Sequence, residues 1–124
     1  MAHHILCKRI YEPPAASDGC RVLVDRLWPR GIRKEAAELF MWARGAAPSS
    51  ELRKWFAHEP GRYQEFCERY RLELNASKDA RELAAICAEE LASRNVTLLY
   101  AARNVEQNNA IVLQDWLHTQ GTEE

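Results

Sequence analysis

Glycine is scarce in this chain, five residues in 124, and nowhere do the five fall into a spacing that cradles phosphates. Neither the dinucleotide fingerprint nor the P-loop pattern is present, so a nucleotide has no special claim over any other anion. Net charge is missing too. Seventeen Lys and Arg stand against eighteen Asp and Glu, a formal charge of −1, which gives no bulk attraction for nucleic acid or an anionic membrane. Any electropositive site must come from local clustering. No apolar run approaches the roughly 20 residues needed to span a bilayer. No basic-then-apolar leader precedes the first strand-like run at Ile5, so no membrane partner is expected and the cytoplasm is the expected compartment.

Close cysteine pairs are also absent. Cys7, Cys20, Cys67 and Cys87 lie more than ten residues apart from one another, without the short Cys-x-x-Cys spacing of most structural zinc sites. Nothing in the sequence calls for secretion, so the four are expected to be reduced, mostly buried thiols serving as small hydrophobes. No metal and no cofactor is expected. No His–nucleophile pairing suggests triad chemistry, and His58, at a helix end, reads as a cap or surface residue.

What is present is the composition of an ordinary globular domain: 47% hydrophobic and 28% charged residues. Ile5–Tyr11 reads as a first strand, stopped at Pro13-Pro14. Ser17-Asp18-Gly19 marks a turn, and Arg21–Asp25 is a second strand with an apolar centre suited to burial on both faces. Trp28 before Pro29 is pushed to extended geometry. A short loop or helical turn over residues 34–38 leads to a third strand over residues 39–43. Ser49 or Ser50 caps a helix carrying Leu52, Trp55 and Phe56. Tyr63, Phe66, Cys67, Tyr70 and Leu74 form a helical stripe, and Ser77 caps a helix presenting Ala80, Leu83, Ile86, Cys87 and Leu91. Residues 96–102 read as a central parallel strand. Asn104, with Gln107 at the capping-box position, opens a last helix presenting Val112, Leu113, Trp116 and Leu117. The reading is one α/β domain over residues 1–120, a mostly parallel sheet with helices packed on it, and a frayed tail over 121–124. Val22, Leu23, Val24, Leu98 and Leu99 should be inaccessible and touch Phe66, Tyr70 and Trp116.

In open parallel sheets ligands bind beyond the carboxyl ends of the strands. Two apolar strands end here at Asp25-Arg26 and at Arg103-Asn104, so parallel pairing puts both on one rim, with Arg30 and Arg33 just beyond and Lys8-Arg9 closing the first strand. Arginine suits an anion because its planar fork gives two parallel charge-assisted bonds, and the amides opening the helix after Asn104 add donors. The bland reading is that Arg26 and Arg103 pair with Asp25 and Glu106 and brace loops. Asp25 is a weak catalytic candidate: a neighbouring arginine lowers its pKa, which suits a carboxylate that orients Arg26 or Arg103 better than a general base. Trp28 covers the core or walls a pocket.

The blocks Cys7-Lys8-Arg9-Ile10-Tyr11, Arg21 through Gly31, Ser50 through Phe56, Leu98 through Asn104 and Val112 through Leu117 resemble the YeaO-like class of the DUF488 family, over nearly the whole chain. The resemblance implies the fold and carries over no activity. Members usually have Lys where this chain has Arg103 and His where it has Asn109. Two functions are therefore carried forward. One is binding of a small anionic ligand, a phosphate-bearing metabolite or nucleotide, by Arg26, Trp28, Arg30, Arg103 and Asn104. The other is a protein- or nucleic-acid-interaction module using the same basic rim with Lys8, Arg9 and Arg33. No pattern names a reaction.

Overall fold

In the computed structural model, which describes residues 2–122, the chain forms four parallel strands. They are β1 (Ile5–Arg9), β2 (Cys20–Leu23), β3 (Met41–Trp42) and β4 (Val96–Tyr100), in the order β1-β4-β2-β3. The last strand in sequence lies between the first two, and all five of its residues are buried, as its apolar, β-branched run suggests. Five helices accompany the sheet: α1 (Lys34–Ala37), α2 (Ser50–Phe56), α3 (Tyr63–Asn75), α4 (Lys78–Glu90) and α5 (Asn109–Thr119).

The helices are distributed unevenly. The crossover from β1 to β2 carries only a 3-10 turn (Ala16–Asp18), and that from β2 to β3 only the four-residue α1, whereas α2, α3 and α4 all fall between β3 and β4. The buried side chains divide accordingly. Val22, Leu98 and Tyr100 pack with Phe66, Tyr70, Leu113 and Trp116 in the main core. Leu23 and Leu99 join Ile10, Ala37, Trp28 and Trp42 in a second cluster. All five expected core residues are fully buried, but Leu23 and Leu99 do not belong to the cluster holding Phe66, Tyr70 and Trp116, because successive side chains on a strand point to opposite faces.

The helixless crossover is held by a buried ionic cluster. The Asp18 carboxylate accepts from Lys8 Nζ at 3.0 Å, from Arg21 Nη1 at 2.6 Å and from the Ala15 amide at 3.0 Å. Its carbonyl accepts from Thr97 Oγ1 at 2.7 Å. Gly19 follows at φ 64°, and a Cβ there would lie 2.2 Å from the Asn95 carbonyl oxygen, so both its backbone angle and its close approach require glycine. Lys8 is thereby removed from the strand-end rim and committed to this cluster.

Helix starts follow the expected chemistry at two of three places. Ser49 Oγ accepts from the Leu52 amide and Ser77 Oγ from the Ala80 amide. The third differs: α5 is capped by Asn108, whose Oδ1 accepts from the Ile111 amide at 3.0 Å, while Asn104 Oδ1 accepts from Glu106 and Gln107 amides at 2.9 Å. Asn104 spends its acceptor on a local turn, and the helix begins four residues after the expected start. At the other end, Thr122 is buried with its hydroxyl on the Leu117 carbonyl at 2.8 Å; the expected fraying of residues 123 and 124 lies outside the described residues. No helix among the described residues is long and apolar enough to cross a membrane.

Candidate functional site

The carboxyl ends of β1, β4 and β2 run out where side chains replace backbone partners. The Ala101 amide, next along β4, donates to Asp25 Oδ2 at 2.9 Å, and Val24 and Asp25 are joined to α5 through Asn109. Asn109 Nδ2 donates to Asp25 Oδ1 at 3.1 Å and to the Val24 carbonyl at 3.0 Å. From β1, Arg9 donates to the carbonyls of Ala101 and Ala102 at 3.2 and 2.9 Å. These substitutions end the ladder at Tyr100 and Leu23, so β4 and β2 are each two residues shorter at this end than the apolar runs imply.

Asp25 is half-buried. Burial pushes its carboxyl above the usual range, against the pull of the Asn109 and Ala101 donors and of the positive field of His58. The expected arginine partner is absent: among the described residues Asp25 pairs with neither Arg26 nor Arg103. Arg26 turns away, donating from Nε to the Pro48 carbonyl at 2.8 Å and from Nη2 to that of Ala47 at 3.3 Å. A lowered Asp25 pKa was the expectation; with the guanidinium committed to neutral carbonyls, desolvation wins instead.

The remaining rim residues separate into braced and free. Trp28 Nε1 donates to the Ile32 carbonyl at 2.7 Å, and its ring meets Trp42 edge-on at 5.4 Å. Trp28 therefore covers the second core cluster. Trp42 donates to the Asp25 carbonyl at 2.7 Å. Arg9 also sits over the Tyr11 ring, 5.0 Å from its centroid, and Tyr11 Oη donates to the Arg30 carbonyl at 2.9 Å. One chain of contacts thus ties the loops after β1, β2 and β4 into a continuous surface. On it the side chains of Arg30 and Arg103 are exposed and, among the described residues, make no hydrogen bond or ion pair. Asn104 lies beside Arg103 with its oxygen taken by the loop's own amides, so those amides are not open donors. Arg33 is exposed at the start of α1.

Two features escaped the sequence reading. Arg44, two residues past β3, is exposed with its guanidinium 5.4 Å from the Trp42 ring centroid; the rule that singled out Arg26 and Arg103, a cation just past a strand end, applies equally to it. His58 and Ala57 both adopt left-handed backbone, φ 57° and 48°, at the end of α2. No sequence signal marks that conformation, which non-glycine residues adopt at a cost.

Two clefts meet at Ser49 and Glu73, which line both. One of about 440 Å³ is lined by Trp55, Arg69, Leu72 and Glu73 among others, the second, of about 310 Å³, by Arg26, Ser49, Tyr70, Glu73 and Ser77 among others. Asp25, Arg30 and Arg103 line neither. Burial pushes the thiols of Cys7 and Cys87 up to about 12 and that of Cys20 to about 11, so they stay protonated at neutral pH. Among the described residues no group of three or more His, Cys, Asp or Glu side chains is arranged to hold a metal ion.

Residues 4–124 match a family model described as the inactive DUF488-N3 subclade. The chain is 46% identical over 117 residues to Uncharacterized protein YeaO of Escherichia coli (strain K12), covering 94% of this chain and 98% of that one. It is 42% identical over 110 residues to Uncharacterized protein Rv3073c of Mycobacterium tuberculosis (strain ATCC 25618 / H37Rv), covering 89% and 90%. An equal match is found to Uncharacterized protein Mb3100c of Mycobacterium bovis. No solved structure matches.

Proposed function

This chain belongs to the DUF488 family, and on that premise we propose that it is a binding module without turnover, whose strand-end rim holds an anionic group through Arg103 and Arg30. The observation that carries this reading is the bond between Asp25 and Asn109. A carboxamide neither gives up nor takes on a proton near neutral pH, so Asn109 clamps the half-buried Asp25 carboxylate at the rim without forming a relay with it. The description of the matched family model as inactive agrees with that.

Binding itself rests on the division of the arginines. Arg9 and Arg26 are spent on carbonyls, while Arg30 and Arg103 stand on loops fixed by those same bonds, their forks open to solvent. A preorganised loop lowers the entropic cost of holding a ligand. A carboxylate or phosphate would be met by charge-assisted bonds of the kind arginine makes best. Asn104 acts in this scheme by shaping the loop that carries Arg103, and Trp28 by bracing the loop that carries Arg30 through its bond to Ile32.

A macromolecular partner is the second reading, and a specific observation favours it: Leu27 and Val105, on the loops that carry Arg30 and Arg103, are 52% and 56% exposed. Apolar side chains among cations are features of interaction surfaces. Titration with phosphate, nucleotides and a single-stranded oligonucleotide at two salt concentrations separates the two. A small ligand held in place shows a shallow salt dependence, whereas a polyanion is lost steeply through counterion release. Failure of all three anions to bind would refute the rim reading.

A further inference from the structure

We propose that the 310 Å³ cleft beside Arg26 is a separate ligand site, built for a small zwitterion, of which a free α-amino acid is the simplest case. The cleft lies between the loop from β3 to α2, at Gly45 to Ser49, and the turn joining α3 to α4, at Glu73 to Ser77. Two opposite charges line it without meeting. Arg26 is held by the neutral carbonyls of Ala47 and Pro48, which leaves Nη1 uncommitted among the described residues. Glu73 is held by the Ser49 amide at 2.9 Å and by Ser49 Oγ at 2.6 Å, again neutral groups. Among the described residues neither forms an ion pair with the other or with any other charge.

Half-buried charges without counter-charges are unfavourable, and a ligand carrying both signs relieves both. A plain anion would meet Arg26 but be repelled by Glu73, and a plain amine the reverse. In a zwitterion the carboxylate faces Arg26 and the ammonium faces Glu73. Ser77 adds a donor, since its oxygen already accepts from the Ala80 amide while, among the described residues, its proton is uncommitted. The volume is near the lower limit for small-molecule sites, which restricts the ligand to a few heavy atoms. Leu74, Ala46 and Ala47, all buried, offer apolar contact to a short aliphatic side chain. The rim residues Arg30 and Arg103 take no part, so this site stands or falls apart from the rim.

The test is an NMR titration of the whole chain with a panel of proteinogenic α-amino acids, followed at the amides of Gly45, Ala47 and Ser77. At least one should move those signals. Its N-acetyl and methyl-ester derivatives, each lacking one charge, should bind about tenfold or more weakly, the loss of one charge-assisted hydrogen bond. Glu73→Gln, which keeps the shape and an acceptor for Ser49, should weaken binding similarly, and Arg103→Ala should leave it unchanged. No movement for any amino acid overturns the proposal, as does equal binding of the blocked derivatives. Loss of binding in Arg103→Ala would transfer the ligand to the rim and also overturn it.

Discussion

The side-chain amide of Asn109, in the first turn of α5, donates both to Asp25 Oδ1 at 3.1 Å and to the Val24 carbonyl at 3.0 Å. Helix and strand end are thereby clasped at the point where β2 leaves the sheet. Asn109→Ala leaves two partly buried acceptors short of a donor, and should lower stability by about 1–3 kcal/mol. Urea unfolding measures this; an unchanged midpoint with an unchanged slope would show that water replaces the amide at no cost.

Two carboxylates give opposite pH dependences. Asp25 has a raised folded-state pKa, so the folded protein binds more protons than the unfolded chain above the ordinary carboxylate pKa of about 3.9. Its contribution to stability therefore falls as pH rises from there through the raised value. Asp18 is the reverse. Burial alone would raise it, but the Ala15 amide, Lys8 and Arg21 together hold it below the usual range. Its contribution is present above about pH 3.9 and is lost as pH falls through the depressed value. Stability followed against pH should lose its acid-side fall in Asp18→Asn and its decline above pH ~4 in Asp25→Asn. At neutral pH, Asp18→Asn should also cost about 3–5 kcal/mol, because Lys8 and Arg21 are left without their counter-charge. Identical pH profiles for wild type and both variants would contradict these assignments.

Leu99 is fully buried at the centre of the second cluster. Leu99→Ala should cost about 2–5 kcal/mol in denaturant unfolding. A loss under about 1 kcal/mol would mean that the face covered by Trp28 and Trp42 collapses around the cavity instead of holding it open.

Much of this was legible in the sequence because it rests on local chemistry. Ser49 and Ser77 each cap the helix they precede, and the runs at Val22 and Val96 form adjacent parallel strands. The resemblance of the Asp25 to Gly31 block also pointed to the family. What was not legible depends on partners distant in sequence. Whether Arg26 faces Asp25 or the carbonyls of Ala47 and Pro48 is decided by a loop some twenty residues on. Asn104 and Asn108 have equal capping chemistry, and only the path of the loop decides between them. The division of Leu98 and Leu99 between two clusters follows from strand alternation, but the cover of the Leu99 face by Trp28 and Trp42 does not.

Arg26 should behave as a brace. It is half-buried and gives two hydrogen bonds to the loop that opens α2, so Arg26→Ala should lower stability by about 1–3 kcal/mol. Thermal or urea unfolding of that variant reads the effect, and a wild-type midpoint would place the loop's support elsewhere.

Arg103 should behave differently, and it carries the central claim. The most direct measurement is thermal unfolding of wild type and Arg103→Ala, each with and without phosphate and a panel of nucleotides at fixed ionic strength. The side chain has no partner among the described residues, so without ligand the two proteins should melt together. An anion that binds the folded state raises the melting temperature by mass action. The account predicts such a rise in wild type and a reduced or absent rise in Arg103→Ala. A wild type unmoved by every anion, or a variant that melts early and responds as wild type does, would contradict it.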